Sequence, residues 1–270
     1  MMTPSPPTQV SRIVNLEGSC NFRDLGGYRT RDGRELKWGR VFRTGVLSYF
    51  TPNDHDRLNQ LGVRAICDLR RADEREREPT SWPDANTQHL SWDDGDSPPT
   101  IRSIATNHPY TAAGMHGAMI DMYRALPAWM APRLRGMFAR IAQGDVPIIV
   151  HCAAGKDRTG IAIALLLAVL DVPQETIVED YLLTNDAVDM EQFILTRHEA
   201  HLGIAISKHP LLTLPEDIRR VIFAAHVDYL SATFDQIACD HGDVTEFLHK
   251  EVGVDDTMRN KVRSALLSAG

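Results

Sequence analysis

The sequence predicts an α/β domain with a central, twisted, mostly parallel sheet flanked by helices, and a helical C-terminal part. Three observations carry that expectation. Two short apolar runs, VRAICDL (63–69) and VPIIV (146–150), have the length and β-branched content of buried strands. The run from Ile161 to Leu170 is apolar around every face, as in a helix covered on all sides. Beyond Pro173 the apolar spacing is mainly helical.

In chain order, residues 1–10 (MMTPSPPTQV) read as a Pro-rich disordered tip without the basic and apolar regions of a secretory signal. Residues 11–270 then form one domain. LGGY (25–28) followed by RDG (31–33) suggests a hairpin. The strand over 63–69 delivers Asp68 and Arg70 at its C-terminal end. Arg70 to Glu78 carries four charges of each sign, several at i,i+3 with opposite sign, and reads as a solvated helical face. Thr80 to Gly117 is rich in turn formers, with a short strand at Gln88 to Trp92. So long a connection in a compact domain reads as a binding loop or lid. A helix from Ala118 to Ala142 should break near Pro127 and Pro132. After the central strand Val146–Val150 and the helix Arg158–Leu170, helices are expected over 174–185, 189–202, 215–238 and 255–267.

The composition narrows the function classes. Hydrophobic residues make up 43% and charged residues 24% of the 270, so a packed core is expected. The net charge of −7 gives no basic field for nucleic acid or an anionic membrane, so a bound anion must be held by a local site. The longest apolar run, ten residues, is half of what a transmembrane helix needs. Cys20, Cys67, Cys152 and Cys239 show no metal-ligand spacing, which points to free thiols, no metal and a cytoplasmic location.

The chemistry is carried by His151-Cys152-Ala153-Ala154-Gly155-Lys156-Asp157-Arg158-Thr159-Gly160, set between strand and buried helix. Ala153, Ala154 and Gly155 let the backbone close around an anion, so that successive N–H groups and the helix N-terminus point at it. Phosphate is the natural occupant. The same field favours Cys152 as a thiolate. Arg158 supplies a planar fork for two phosphate oxygens. Thr159 can place a hydroxyl near the sulfur, and His151 orders the loop.

This HC-x5-R-T arrangement resembles the signature of the cysteine-dependent protein tyrosine phosphatase superfamily. With NFRDLGGY (21–28), FRTGVLS (42–48), DLR (68–70) and YLLTND (181–186), it is similar to a bacterial branch of tyrosine and dual-specificity enzymes. The resemblance implies a tyrosine-phosphatase-like fold. It also implies hydrolysis of phosphotyrosine, often phosphoserine or phosphothreonine, and in several members phosphoinositides. The route is a cysteinyl phosphate, with no metal or cofactor. Classical members carry the general acid some thirty residues before the cysteine, where this chain has Asp121; Asp93 and Asp94 lie in a loop further back. The bacterial branch places it in the signature loop, here Asp157, whose other role would be to cap the helix.

Lys156 corresponds to a lysine that binds an extra ring phosphate in phosphoinositide phosphatases, but Ala153 replaces their second lysine. Asn21, Arg23, Asp24, Arg43, Asp68 and Arg70 recur near the site in the resembling family, and are expected to brace the loop through Arg–Asp pairs more than to hold substrate. Asn185 and Asp186 are expected to serve a turn and helix cap. The expected partner is a phosphorylated protein or a phosphoinositide. A non-catalytic phosphate-binding module is disfavoured by intact Cys152, Asp157 and Arg158. A thiol-dependent arsenate reductase is disfavoured by the AAGKD loop and the lack of a nearby resolving cysteine in the sequence.

Overall fold

Among the described residues, five strands form one sheet: β1 (Arg23–Asp24), β2 (Val41–Thr44), β3 (Ala65–Asp68), β4 (Gln88–Leu90) and β5 (Ile148–His151). Their order is β1-β2-β5-β3-β4, antiparallel only between β1 and β2. The computed structural model describes residues 11–82, 84, 86–93 and 99–269. The tip 1–10 and Asp94 lie outside these residues. Side-chain alternation divides the apolar residues between two cores. Val41, Ala65, Cys67, Ile148 and Val150 face one; Phe42, Ile66 and Ile149 face the other. A strand buried on both faces reads as the continuous apolar run seen in the sequence.

Among the described residues, twelve α-helices surround the sheet: α1 (Pro52–Asn59), α2 (Ala72–Arg77), α3 (Ile101–Ile104), α4 (Ala112–Ala142), α5 (Asp157–Val169), α6 (Gln174–Leu182), α7 (Thr184–Ala187), α8 (Met190–Leu202), α9 (Glu216–Phe223), α10 (Val227–His241), α11 (Val244–Phe247) and α12 (Asp256–Leu266). α5 is covered as expected, and the hairpin closes with a bridge between Arg29 and Glu35. No helix among the described residues is long and apolar enough to cross a membrane.

Two helix expectations are corrected. α4 runs unbroken through Pro127 and Pro132. Pro127 cannot donate to the Tyr123 carbonyl, but the Thr233 hydroxyl from α10 does so at 3.1 Å. Pro132 and Ala128 are exposed, so the second freed carbonyl lies at the surface, where it need not be paired within the protein. The helix starts six residues earlier than expected because Thr111 caps it, accepting the Gly114 N–H at 3.1 Å. Conversely, the expected helix 215–238 is split at Ala224–His226 into α9 and α10. Asn185 holds Ala225 by both backbone groups, at 2.9 and 2.8 Å, which takes this corner out of helical pairing.

The 80–117 stretch contains β4, α3 and the start of α4. Leu90, Trp92, Ile101 and Ile104 of this stretch pack on the larger core and Trp82 on the smaller.

Candidate active site

The parallel register aligns Thr44, His151 and Asp68 at the C-terminal ends of β2, β5 and β3. The chain leaves β5 directly into Cys152, which is 2% exposed at the floor of the following loop. Three carbonyls of that loop are drawn outward. Ala153 O accepts the Val46 N–H at 3.1 Å, and Ala154 O lies 3.5 Å from Cys20 Sγ. Gly155 O accepts from Asn21 Nδ2 and Arg43 Nη2, both at 2.9 Å. In a trans peptide the next N–H opposes the carbonyl, so the N–H groups of Ala154, Gly155 and Lys156 turn to the concave side. Gly155 has φ +69°, and a Cβ there would meet Gly45 N at 2.6 Å, so only glycine fits. Lys156 begins α5 without a side-chain cap, which leaves the first helical N–H groups for an anion.

Arg158 is held by Glu74. Nη1 donates to Glu74 Oε2 at 2.7 Å and to Leu69 O at 3.3 Å; Nη2 donates to Glu74 Oε1 at 2.9 Å. Of five donors this leaves Nε–H and one Nη2–H, which share an edge of the guanidinium and form a free two-pronged fork. Burial opposes the charge of Arg158, but Glu74 and Asp157 more than restore it. The sequence reading of 70–78 as a solvated face therefore misses Glu74. Its partner is Arg158, while Asp73 pairs with Arg71 and Arg77 at the surface.

Asp157 lines a cleft beside Arg158, together with Ile101, Met119, Met122, Leu126 and Ile222. Its side chain does not cap α5: Tyr123 donates to Asp157 Oδ1 at 2.6 Å. Burial and Asp157 push the Tyr123 hydroxyl well above its ordinary range, so it remains a donor. Asp93 is largely exposed and paired with Arg75. Asp121 is held by His108 and Arg124 on the outer side of α4.

Lys156, related in the sequence to a lysine that binds a ring phosphate, is committed elsewhere. It is 2% exposed, and its ammonium donates to the carbonyls of Ile222 and Ala224 and lies 3.3 Å from Asp157 Oδ1. The split between α9 and α10 turns those carbonyls toward it. Thr159 is fully buried, and its hydroxyl has no hydrogen-bond partner among the described residues.

Around the loop, Asp68 takes Arg70 Nε at 2.9 Å and Nη2 at 2.7 Å, with His151 Nε2 3.5 Å away. Burial would raise Asp68, but His151 and Arg70 hold it down to about 2. Burial lowers His151 to about 4; its Nδ1 faces Cys152 O at 3.3 Å. Arg23 and Arg43 meet Asp180 of α6 rather than Asp24. Successive strand residues face opposite sides, which sends Asp24 to the Gly26 and Gly39 N–H groups at 2.8 and 2.7 Å. Asp24 thus braces a turn, not the signature loop. Glu74, Tyr123 and Asp180 are contacts that sequence reasoning missed. The available signal was a surplus of arginines inside strands, each requiring a buried carboxylate.

A thiol beneath an anion cradle, with an arginine fork beside it, defines the class of cysteine-dependent phosphatases. The sequence model of the tyrosine phosphatase family matches residues 14–268, and the chain belongs to that family. It is 32% identical to a candidate tyrosine-protein phosphatase of Cupriavidus necator, covering 87% of this chain and 82% of the relative. It is 28% identical to the triple specificity protein phosphatase PtpB of Mycobacterium tuberculosis, over 94% and 99% of the two chains. A tyrosine-protein phosphatase of Nostoc commune is 35% identical over 52% of this chain and 46% of its own length.

Proposed function

We propose that this tyrosine phosphatase works through a cysteinyl phosphate, with Cys152 as nucleophile, Arg158 as phosphate clamp and Asp157 as general acid and base. The observation that carries the reading is the outward tethering of the 153–155 carbonyls above a buried thiol. That leaves N–H groups and an arginine edge to hold a phosphoryl group over sulfur. Cys152 Sγ attacks phosphorus; the P–O bond breaks as Asp157 gives its proton to the leaving oxygen. Water then attacks the phosphocysteine, Asp157 takes its proton, and sulfur departs beside the unpartnered Thr159 hydroxyl. The N–H groups of the loop and Arg158 oppose the charge that builds on the equatorial oxygens.

The apolar wall at Ile101, Met119 and Met122 suits the ring of phosphotyrosine. The 80–117 segment supplies part of that wall and acts as a partial cover. The broad specificity in the name of the mycobacterial relative supports action on phosphoserine and phosphothreonine as well. A phosphoinositide preference is disfavoured because Lys156 spends its donors on Ile222, Ala224 and Asp157. All four cysteines are free, which suits the reducing cytoplasm.

Cys152→Ser should abolish turnover of phosphotyrosine peptide while preserving substrate binding; residual turnover within about tenfold of wild type would refute the nucleophile, since a serine hydroxyl there is not ionised. Phosphate release from phosphotyrosine peptide, phosphoserine peptide and phosphoinositide vesicles tests substrate class. A preference for lipid by orders of magnitude would reverse the protein reading.

A further inference from the structure

Tyr123, which binds Asp157, packs its ring against Tyr229 of α10, with centroids 5.5 Å apart. Beyond Tyr229 three metal-ligating side chains converge: His116 of α4, His226 at the start of α10 and Asp228 in its first turn. Asp228 Oδ2 lies 3.0 Å from His116 Nε2 and 3.3 Å from His226 Nδ1, and all three donor atoms lie within 4.8 Å of one another. With metal–ligand bonds of roughly 2.0–2.2 Å, neighbouring donors of a tetrahedral zinc site stand about 3.4 Å apart. Two of the three pairs are already near that spacing, and the third lies within 4.8 Å.

The hydrogen-bond pattern calls for a cation at this point. Tyr229 has one hydroxyl hydrogen and donates it to Val221 O at 3.1 Å, so its oxygen accepts from His116 Nδ1 at 3.2 Å. Nδ1 therefore carries the hydrogen, and in the neutral ring Nε2 turns a lone pair toward Asp228. His226 Nδ1 accepts the backbone N–H of Asp228 at 3.2 Å, which occupies its one lone pair as the cap of α10, so an ion takes this nitrogen in place of that hydrogen bond. The His116 Nε2 lone pair and the Asp228 carboxylate oxygen thus face one another with no hydrogen between them, and His226 Nδ1 lies 3.3 Å from the same oxygen. The hydrogen bond from His116 Nδ1 to a fixed oxygen is the outer contact that orients a metal-ligating imidazole. The cluster is half-exposed, which gives an ion a path in and leaves a fourth position for water.

We infer that His116, His226 and Asp228 form a binding site for a single divalent transition-metal ion of the zinc type, separate from the phosphate cradle. Two imidazoles and one carboxylate are a donor set for zinc rather than for calcium or magnesium. An ion there ties α4 to the Ala224–His226 corner, whose neighbouring carbonyls hold Lys156 of the signature loop.

The test uses the full chain carrying Cys152→Ser, so that the active-site thiol cannot take the metal. After chelator treatment it is titrated with Zn2+ by calorimetry and with Co2+ by absorption spectroscopy. One Zn2+ per chain is expected, with cobalt bands of a nitrogen–oxygen site and no thiolate charge-transfer band. His116→Gln and His226→Gln should each weaken binding at least about tenfold, and Tyr229→Phe about tenfold, while metal-free Tm reports folding of each variant. Absence of Zn2+ binding tighter than about 1 mM, some 4 kcal/mol, overturns the site. So does unchanged affinity in the folded histidine variants, or a thiolate band.

Discussion

Glu74 receives both terminal nitrogens of Arg158, at 2.7 and 2.9 Å, and so fixes which edge of the guanidinium stays free. α2 reaches into the site through this one carboxylate, while Asp73 pairs with Arg71 and Arg77, and Arg75 with Asp93. As the proposed phosphate clamp, Arg158 is therefore oriented before substrate arrives, and its ordering entropy is spent in folding.

Glu74→Gln should lower kcat/KM for a small aryl phosphate about 10- to 100-fold, because hydrogen bonds between charged groups contribute about 1.5–3 kcal/mol. Tm measured alongside separates positioning from folding. An unchanged kcat/KM in a folded variant would show that Arg158 needs no anchor.

Stability should fall on acidification in two successive windows. His151 is lowered to about 4 in the folded protein, against an ordinary value of 6.5, so between these pH values the unfolded chain binds the extra proton. Its contribution is complete above 6.5 and is lost as pH falls toward 4. At about 1.4 kcal/mol per pH unit, this amounts to about 3 kcal/mol. Asp68, held to about 2 against 3.8, extends the loss below pH 4. Urea midpoints at pH 7 and pH 5 should differ for wild type and converge for His151→Asn; an equal drop in that variant would assign the acid sensitivity elsewhere.

How far the sequence could be read follows from the range of each interaction. The strand, loop and helix around Cys152 were legible because hydrophobic period, small residues and the Cys-to-Arg spacing are local properties. The partners of the loop were not. Asp180 lies 137 residues from Arg43, and Glu74 lies 84 from Arg158, so the pairing depends on tertiary packing. Proline rules failed in α4 because Thr233, 110 residues away from Tyr123, supplies the missing donor. The break at Ala224–His226 carries no glycine or proline; it is imposed by Asn185 and Lys156 from outside. Lys156 itself read as a candidate for an extra ring phosphate because spacing reveals position in the loop and says nothing of what packs over it.

Gly155→Ala should disrupt the cradle. The substitution forces a Cβ within 2.6 Å of Gly45 N and Thr44 C while the residue holds φ +69°, so the backbone must shift. A left-handed conformation at a non-glycine residue costs about 1–3 kcal/mol before the clash is counted. Lower Tm and loss of phosphate inhibition should appear together. A variant with wild-type Tm and wild-type inhibition by phosphate would mean that the loop relaxes without cost.

Ile101→Ala tests whether the 80–117 segment contributes to substrate recognition. Ile101 lies on α3, partly buried against the larger core, and shares the cleft with Asp157 and Arg158. Its side chain offers apolar surface where the aryl leaving group would sit, and alanine removes three carbons of it. Full burial of those carbons would contribute about 2 kcal/mol. Partial exposure roughly halves this, so KM for phosphotyrosine peptide should rise about fivefold, since about 1.4 kcal/mol is tenfold. A phosphoserine peptide lacks the ring and should respond far less. Peroxide inactivation should also accelerate, because a thinner wall admits the oxidant to Cys152 more readily. Equal KM changes for the two peptides, with an unaltered inactivation rate, would place this segment outside the recognition surface.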